Sequence, residues 1–254
     1  MRVLLVTPPM TQLNTPYPAT AYLTGCLRKH AAETVEVAQA DLSIELFLRL
    51  FSRDGLAAAQ AELQAARGGA RRSARGGGKR FDWFVSRAET YAGLVEPVVR
   101  FLQGHDPSLA MRIAGRAFLP EGPRFAALDA ESGDGEELLG WAFGALGVTD
   151  RARHLASLFI DDLADVIRDG IDPRFELSRY GEKLASSAAR FDPLADALDA
   201  PPTLVDRLLD ELARDCVRAH APDVVGLTVP FPGNLYGALR IARVVKAELP
   251  AAKV

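Results

Sequence analysis

The chain has 254 residues, 48% of them hydrophobic and 25% charged, a composition that indicates a folded globular protein and excludes wholesale disorder. Its formal net charge of -3 provides no global attraction to nucleic acid or to anionic membranes, so we expect neither as a partner. Cys26 and Cys216 lie too far apart for a local CxxC metal site or a disulfide framework, which predicts a reducing, cytoplasmic setting. No run approaches the roughly 18 uninterrupted apolar residues of a membrane span.

The first 42 residues have the pattern of a strand, a helix and a second strand. Arg2–Thr7 is a short β-branched apolar run ended by two prolines, which is typical of a strand buried on both faces of a parallel sheet. A helix is predicted from Tyr17 to Lys29. Thr34–Ala40 then alternates between apolar and polar residues, and Asp41 follows where this second strand ends. So tight a succession predicts parallel pairing with a right-handed crossover.

Helical patterning replaces this alternation in residues 43–216, which we predict to be an all-helical insertion between the second and third strands. The predicted helices, beginning at the insertion's edge, are Leu42–Arg53, Leu56–Arg67, Phe81–Gln103, Glu136–Leu146, Asp150–Arg168 and Thr203–His220. Residues 67–80 contain six basic residues, five glycines and no acid, which predicts a flexible loop between helices. No aromatic residue interleaves the basic ones, a pattern that disfavours an RNA-binding role for this loop.

The strand pattern returns at Asp223–Val229. Asn234 follows a proline-containing turn and is predicted to cap a helix from Leu235 to Glu248. We expect the next parallel strand to begin at residues 251–254, so the sheet is interpreted as incomplete at the C-terminus. The predicted organisation is an α/β domain whose first half is residues 1–42 and which resumes at residues 217–254.

Several common site signatures are missing. The turn after the first strand lacks GxGxxG, and no segment matches a P-loop. The four histidines are scattered, without an HExxH or His-x-His pairing that would indicate a metal site. These observations disfavour a classical dinucleotide-binding site with a glycine-rich turn and a histidine-based metal centre.

The geometry of the predicted sheet indicates where a ligand would bind. An open parallel sheet binds ligands at the carboxyl ends of its strands, near the point where the strand order reverses. The candidate cofactor-binding residues at this edge are Thr7, Pro8, Pro9, Asp41, Thr228, Val229, Pro230, Phe231, Gly233 and Asn234. The prolines and Phe231 offer rigid apolar contact, and Gly233 lets the backbone approach a ligand closely. The alternative interpretation is that these proline-containing loops are ordinary turns.

Two segments resemble a known family. Val3–Pro9, followed by Tyr17–Pro18 and Ala21–Leu27, is similar to the opening of cobalamin-binding domains fused to radical SAM enzymes, and Pro222–Thr228 with the helix Tyr236–Glu248 is similar to that domain's third strand and helix. The resemblance covers residues 1–42 and 217–254. It implies a flavodoxin-like (Rossmann-type) sheet with the corrin ring across the carboxyl ends of its strands. The residues it implies near the ring or its nucleotide tail are Thr7, Pro8, Thr228, Val229 and Pro230.

The resemblance also implies a downstream domain in the same polypeptide, whose CxxxCxxC motif ligates a four-iron four-sulfur cluster that binds S-adenosylmethionine. This chain lacks that motif, so we expect no catalysis from these residues alone. Family members often methylate unactivated carbon with methylcobalamin as methyl carrier, which implies a methyltransferase or a related radical enzyme. The DxHxxG motif of cobalamin-dependent mutases is also missing, so the lower axial cobalt ligand is not assigned.

Two other hypotheses stay open. One is a stand-alone, non-catalytic cobalamin carrier or sensor, in which the helical insertion serves as a cap or a partner surface. The other is a doubly wound transferase acting on nucleotide-activated sugars, which would need an acidic motif that this chain does not show.

Overall fold

Segments from both ends of the sequence meet in one of two structural units. The computed structural model describes residues 1–13, 15, 17–68, 81–126, 128, 147–186 and 190–254, and the predicted helix Glu136–Leu146 and most of the predicted loop 67–80 lie outside them. Unit 1 comprises Met1–Leu50 and Asp172–Val254, and unit 2 comprises Phe51–Ile171.

The strands are β1 (Arg2–Thr7), β2 (Glu36–Asp41), β3 (Phe175–Glu176), β4 (Arg179–Tyr180) and β5 (Val224–Leu227). The helices are α1 (Ala19–His30), α2 (Leu42–Leu50), α3 (Arg53–Gly68), α4 (Asp82–Val85), α5 (Ala88–Leu102), α6 (Ala110–Ala114), α7 (Gly147–Gly170), α8 (Glu182–Ser186), α9 (Asp192–Asp199), α10 (Leu204–His220) and α11 (Pro232–Glu248). Short 3-10 turns cover Pro107–Leu109 and Pro123–Phe125. Among the described residues, none of the helices is long and apolar enough to cross a membrane.

Unit 1 is an α/β structure built on a parallel sheet in the order β2-β1-β5. The register pairs Leu4 with Ala38 on one side and with Val225 on the other. β1 is central and its apolar run is buried, as expected for a strand covered on both faces. The predictions of an α/β fold and of three parallel strands are confirmed.

The outer edge of β5 carries one further parallel bridge, between Val224 and Lys253. The Val225 amide donates to the Lys253 carbonyl at 2.8 Å, and the Lys253 amide donates to the Asp223 carbonyl at 3.0 Å. This bridge lies where the next parallel strand is expected.

Helices α10 and α11 flank β5 in the chain and pack against each other, and α2 packs against both β1 and α10. A capping box starts α10: the Thr203 hydroxyl accepts from the Asp206 amide, and the Asp206 carboxylate accepts from the Thr203 amide. These contacts fix the helix that leads into β5.

Two predicted helices of the middle segment are broken by serines. Leu42–Arg53 ends at Leu50, because Ser52 Oγ accepts from the Gly55 amide and starts α3 as a new helix. Phe81–Gln103 divides into α4 and α5, and Ser86 at the break donates its hydroxyl to the Asp82 carbonyl.

Two further expectations are wrong in unit 1. The middle is not all-helical, because residues 175–180 form the antiparallel pair β3 and β4, and residues 172–216 belong to unit 1. Asn234 does not cap its helix: α11 begins at Pro232, whose fixed φ suits a first turn, and Asn234 is buried inside that turn.

Unit 2 is organised around α7, whose apolar face is buried. Tyr91 of α5 stacks on Phe159 of α7, with ring centroids 5.4 Å apart. The same helix buries one carboxylate, Asp162, whose Oδ1 accepts from the Arg124 amide at 2.9 Å. Gly122 lies so close to this carboxylate that a side chain there would collide with it. Burial raises the pKa of Asp162 from its ordinary value of 3.8 to about 6.

This shift predicts that unit 2 loses stability as the pH rises from about 4 to about 6. The folded state holds the Asp162 proton over that range and the unfolded state does not, so the contribution is complete below the unfolded pKa and is lost as the pH rises through the folded one. The Asp162→Asn variant stays neutral and keeps an acceptor oxygen. Its free energy of unfolding should therefore fall less than that of the wild type over this pH range, by on the order of 1–3 kcal/mol.

Tryptophan fluorescence during urea unfolding measures this, because both tryptophans, Trp83 and Trp141, lie within residues 51–171. Asp54→Asn, at an exposed site of the same unit, is the control and should follow the wild type. Parallel pH profiles for the wild type and Asp162→Asn would contradict the prediction.

Candidate functional site

A cleft opens beyond the carboxyl ends of β1 and β5. It lies where the strand order reverses, because β2 pairs with one edge of β1 and β5 with the other. Its volume is about 430 Å³, within the range of small-molecule sites. We call it the switch-point cleft; its lining residues are Met10, Thr11, Gln12, Thr15, Tyr17, Pro18, Ser178, Arg179, Glu182, Phe231, Pro232, Gly233 and Asn234, all in unit 1.

Asn234 joins the loop after β1 to the first turn of α11. Its side chain is fully buried, and Nδ2 donates to the Pro8 carbonyl at 3.2 Å and to the Met10 carbonyl at 3.0 Å. Both amide protons are thereby used, and only this orientation of the amide places a donor against the two carbonyls. Oδ1 is also buried and has no partner among the described residues. An unpaired buried acceptor costs about 1–3 kcal/mol.

One side of the cleft is apolar. Phe231 packs edge-on against Tyr17, with ring centroids 6.1 Å apart, yet it remains 59% exposed. Val229, which follows β5 and is not among the lining residues, is 42% exposed. Large apolar side chains exposed beside a cleft provide contact for the apolar surface of a ligand.

The opposite side is formed by the turn of the β3–β4 hairpin and by α8. Arg179 pairs with Glu176 at 3.0 Å and with Glu182 at 2.6 Å, so its charge is shared inside the chain. Gly233 faces this arginine at close range, because a Cβ at Gly233 would lie 2.8 Å from the Cβ of Arg179. A glycine is therefore required where α11 meets the hairpin.

A buried polar cluster anchors the hairpin to α10 and α11. Arg174 donates to Asp172 at 2.8 Å and to Asp206 at 2.7 Å, and its guanidinium also contacts the Tyr236 hydroxyl. The Tyr180 hydroxyl lies 2.9 Å from Asp172 Oδ2 and 2.6 Å from Asp206 Oδ1. The cluster thus joins β4 to both helices through groups withdrawn from water.

Electrostatics in the cluster favour a charged Asp206. Burial by itself raises the pKa of this carboxyl, but the hydrogen bond from Tyr180 and the guanidinium groups of Arg240 and Arg174 outweigh it and hold the pKa below its ordinary value. Burial, followed by the charges of Asp172 and Asp206, raises the pKa of the Tyr180 phenol well above its ordinary value. Tyr180 therefore acts as a neutral donor between two carboxylates.

The candidate residues predicted from sequence fall into three groups. Phe231, Gly233 and Asn234 line the cleft. Thr7, Pro8 and Pro9 are buried beneath it, where the Pro8 carbonyl accepts from Asn234, and Thr228, Val229 and Pro230 continue β5 at the strand edge. The remaining candidate, Asp41, caps α2 by accepting from the Ser43 and Ile44 amides at 3.0 and 3.1 Å.

Ser178 and Arg179 of the hairpin and Glu182 of α8 were not among the candidates. They lie in the segment predicted to be an all-helical insertion, and strands of two residues are too short to show alternation. The loop from Met10 to Pro18 could have been included, since it directly follows β1 at the carboxyl edge.

The described residues contain no group of three histidine, cysteine, aspartate or glutamate side chains placed to hold a metal ion. Neither a family model, nor a curated protein, nor a solved structure matches this chain.

Tyr180→Phe should destabilise unit 1 by about 1–3 kcal/mol, because it removes a buried hydrogen bond to a charged carboxylate, the shorter contact being 2.6 Å to Asp206 Oδ1. Amide hydrogen exchange in β1, the central strand, measures the free energy of opening this unit. Tyr22→Phe removes a hydroxyl from a tyrosine that is 77% exposed and should leave exchange unchanged. Equal exchange rates in the two variants would show that the cluster does not anchor the hairpin.

Proposed function

We propose that unit 1 binds a corrinoid cofactor, cobalamin, at the switch-point cleft, and that the chain is the cofactor-binding part of a radical SAM enzyme of the methyltransferase or a related class. The observation that carries the binding proposal is the cleft at the reversal of strand order, whose lining includes Asn234, a buried residue with an Oδ1 that has no partner among the described residues. The choice of a corrinoid rests on the resemblance of residues 1–42 and 217–254 to cobalamin-binding domains.

The chemistry of the cleft fits the edge of a corrin ring. The ring has extended apolar faces, and its rim carries primary amides. Phe231 offers exposed apolar surface in the lining of the cleft, and the Asn234 amide belongs to the same lining. When bound, cobalamin supplies a cobalt ion that carries a transferable methyl group.

The residues of this chain would bind and orient the cofactor. The Asn234 amide is already fixed by the Pro8 and Met10 carbonyls, so this part of the lining needs no further ordering when a ligand binds. The buried cluster around Asp206 holds the hairpin wall on the opposite side. Such preorganisation favours affinity because little conformational entropy is lost on binding.

We predict that Thr228→Trp obstructs the corrin face and lowers the affinity for hydroxocobalamin at least tenfold. Thr228 follows β5 directly, and its amide donates to the Val6 carbonyl at 3.0 Å, so the bulky indole would stand at the strand edge while this backbone bond remains. Isothermal titration calorimetry on the purified chain measures the affinity. Tyr22→Trp, which places the same side chain at an exposed position of α1, is the control and should bind as the wild type does.

Two results would count against the proposal in different ways. If the wild type does not bind hydroxocobalamin at millimolar concentration, corrinoid binding by this chain is wrong. If it binds and folded Thr228→Trp binds equally well, the cofactor lies elsewhere.

The enzyme class is tested separately. Sequencing the source gene beyond the codon for Val254 should reveal an open frame that continues through strand and helix patterns into CxxxCxxC, because three thiolates are needed to hold the cluster. A frame that stops within one or two strands would favour the stand-alone carrier or sensor instead.

A further inference from the structure

We infer that the hairpin wall of the switch-point cleft binds a primary amide on the rim of the corrin ring, with Arg179 donating to the amide oxygen and Glu182 accepting from the amide N–H. The wall consists of Ser178 and Arg179 of the hairpin and Glu182 of α8. This inference rests on the proposed function and names the chemical group that the wall selects.

Arg179 and Glu182 are the charged residues in the lining of the cleft, among the residues that the structure describes. Their side chains are 48% and 33% exposed, so a ligand in the cleft can reach both. The facing wall is apolar, with Phe231 packed against Tyr17. A few polar groups in a partly apolar pocket fix the orientation of a ligand, which makes this pair the place of recognition.

Two carboxylates hold the guanidinium of Arg179 in one orientation. Its Nε lies 3.0 Å from Glu176 Oε2, and its Nη1 lies 2.6 Å from Glu182 Oε2. Nη2 has no partner among the described residues, so its N–H groups are left to donate to a ligand. The backbone beneath is also fixed, because a Cβ at Gly233 would lie only 3.3 Å from the Arg179 Cα. Little conformational entropy is therefore lost when this arginine binds a ligand.

The pair of Arg179 and Glu182 matches a primary amide because each partner satisfies one half of it. A guanidinium only donates and an ionised carboxylate only accepts, whereas a primary amide does both. A carboxylate on the ligand would be repelled, since Arg179 with Glu176 and Glu182 carries a net charge of -1. An ammonium group could not accept from Arg179. The wall therefore selects a neutral amide.

Replacing single amides of the cofactor tests the inference. In the monocarboxylic acids of hydroxocobalamin, one primary amide of the ring is a carboxylate and the rest of the molecule, including the nucleotide tail, is unchanged. We expect at least one of these acids to bind about tenfold more weakly than hydroxocobalamin, because like charges meet at the wall. Isothermal titration calorimetry with the whole chain measures the affinities.

Variants of the two charged residues assign that loss to the wall. In Glu182→Gln the weakly binding acid should come within about threefold of hydroxocobalamin, because the wall no longer carries a net negative charge. Glu248→Gln, which changes a glutamate paired with Arg214 and Arg218 outside the lining, is the control and should keep the difference.

Arg179→Met removes the donor and should weaken the binding of hydroxocobalamin itself by about tenfold. Arg218→Met makes the same substitution in an exposed arginine that is paired with a glutamate outside the lining, so it should bind as the wild type does. The substituted side chains are partly exposed, so we expect the variants to fold, which circular dichroism checks. If one wall variant does not fold, the other decides.

The outcomes separate this inference from the proposed function. If hydroxocobalamin does not bind to the wild type, both fail. If every acid binds as tightly as hydroxocobalamin, the corrinoid proposal stands and amide recognition at the wall is wrong. If folded Glu182→Gln keeps the difference, or folded Arg179→Met binds like the wild type, the amide is bound elsewhere and the inference is overturned.

Discussion

The pairing of β1 with both of its neighbours is the constraint from which the rest of unit 1 follows. β1 is apolar along its length and buried, so its backbone groups must be paired on both edges away from water. β2 supplies one partner from the same end of the sequence, and β5 supplies the other from the opposite end. The strands run parallel, so the loop after β1 and the first turn of α11 meet at one edge of the sheet. The cleft is a direct consequence of that pairing.

Asn234 connects the first turn of α11 to the loop after β1. Its amide reaches across from α11 to the backbone carbonyls that follow β1, at a place where no strand pairing continues. Both carbonyls belong to buried residues, so the asparagine supplies a donor to acceptors that lie away from water. The same side chain thus stabilises the loop, while its Oδ1 has no hydrogen-bond partner among the described residues.

The opposite wall depends on buried charge. Asp172, Arg174 and Asp206 form ion pairs that are satisfied by further hydrogen bonds from Tyr180 and from the capping Thr203. Ion pairs withdrawn from water are costly unless their remaining hydrogen-bonding groups are also satisfied, and here the tyrosine and the threonine fulfil that role. Without this cluster, two strands of two residues each would have too little pairing of their own to stay ordered. The hairpin wall is therefore held by helix-to-hairpin contacts rather than by its own sheet.

The sequence by itself determined the elements whose signals are local: the apolar run of β1, the alternation of β2, the run of β5 and the helical periodicity of α7 and α10. It also indicated the carboxyl edge of the sheet as the place of a candidate site, since that position depends only on the parallel order of the strands. The role of Asn234 was decided by tertiary structure. Local chemistry favours a cap for an asparagine at a helix start, and the carbonyls that it contacts are 226 and 224 positions away in the sequence. The β3–β4 hairpin could not be predicted from the sequence for the same reason. Its stability comes from a buried cluster whose members are close only after folding.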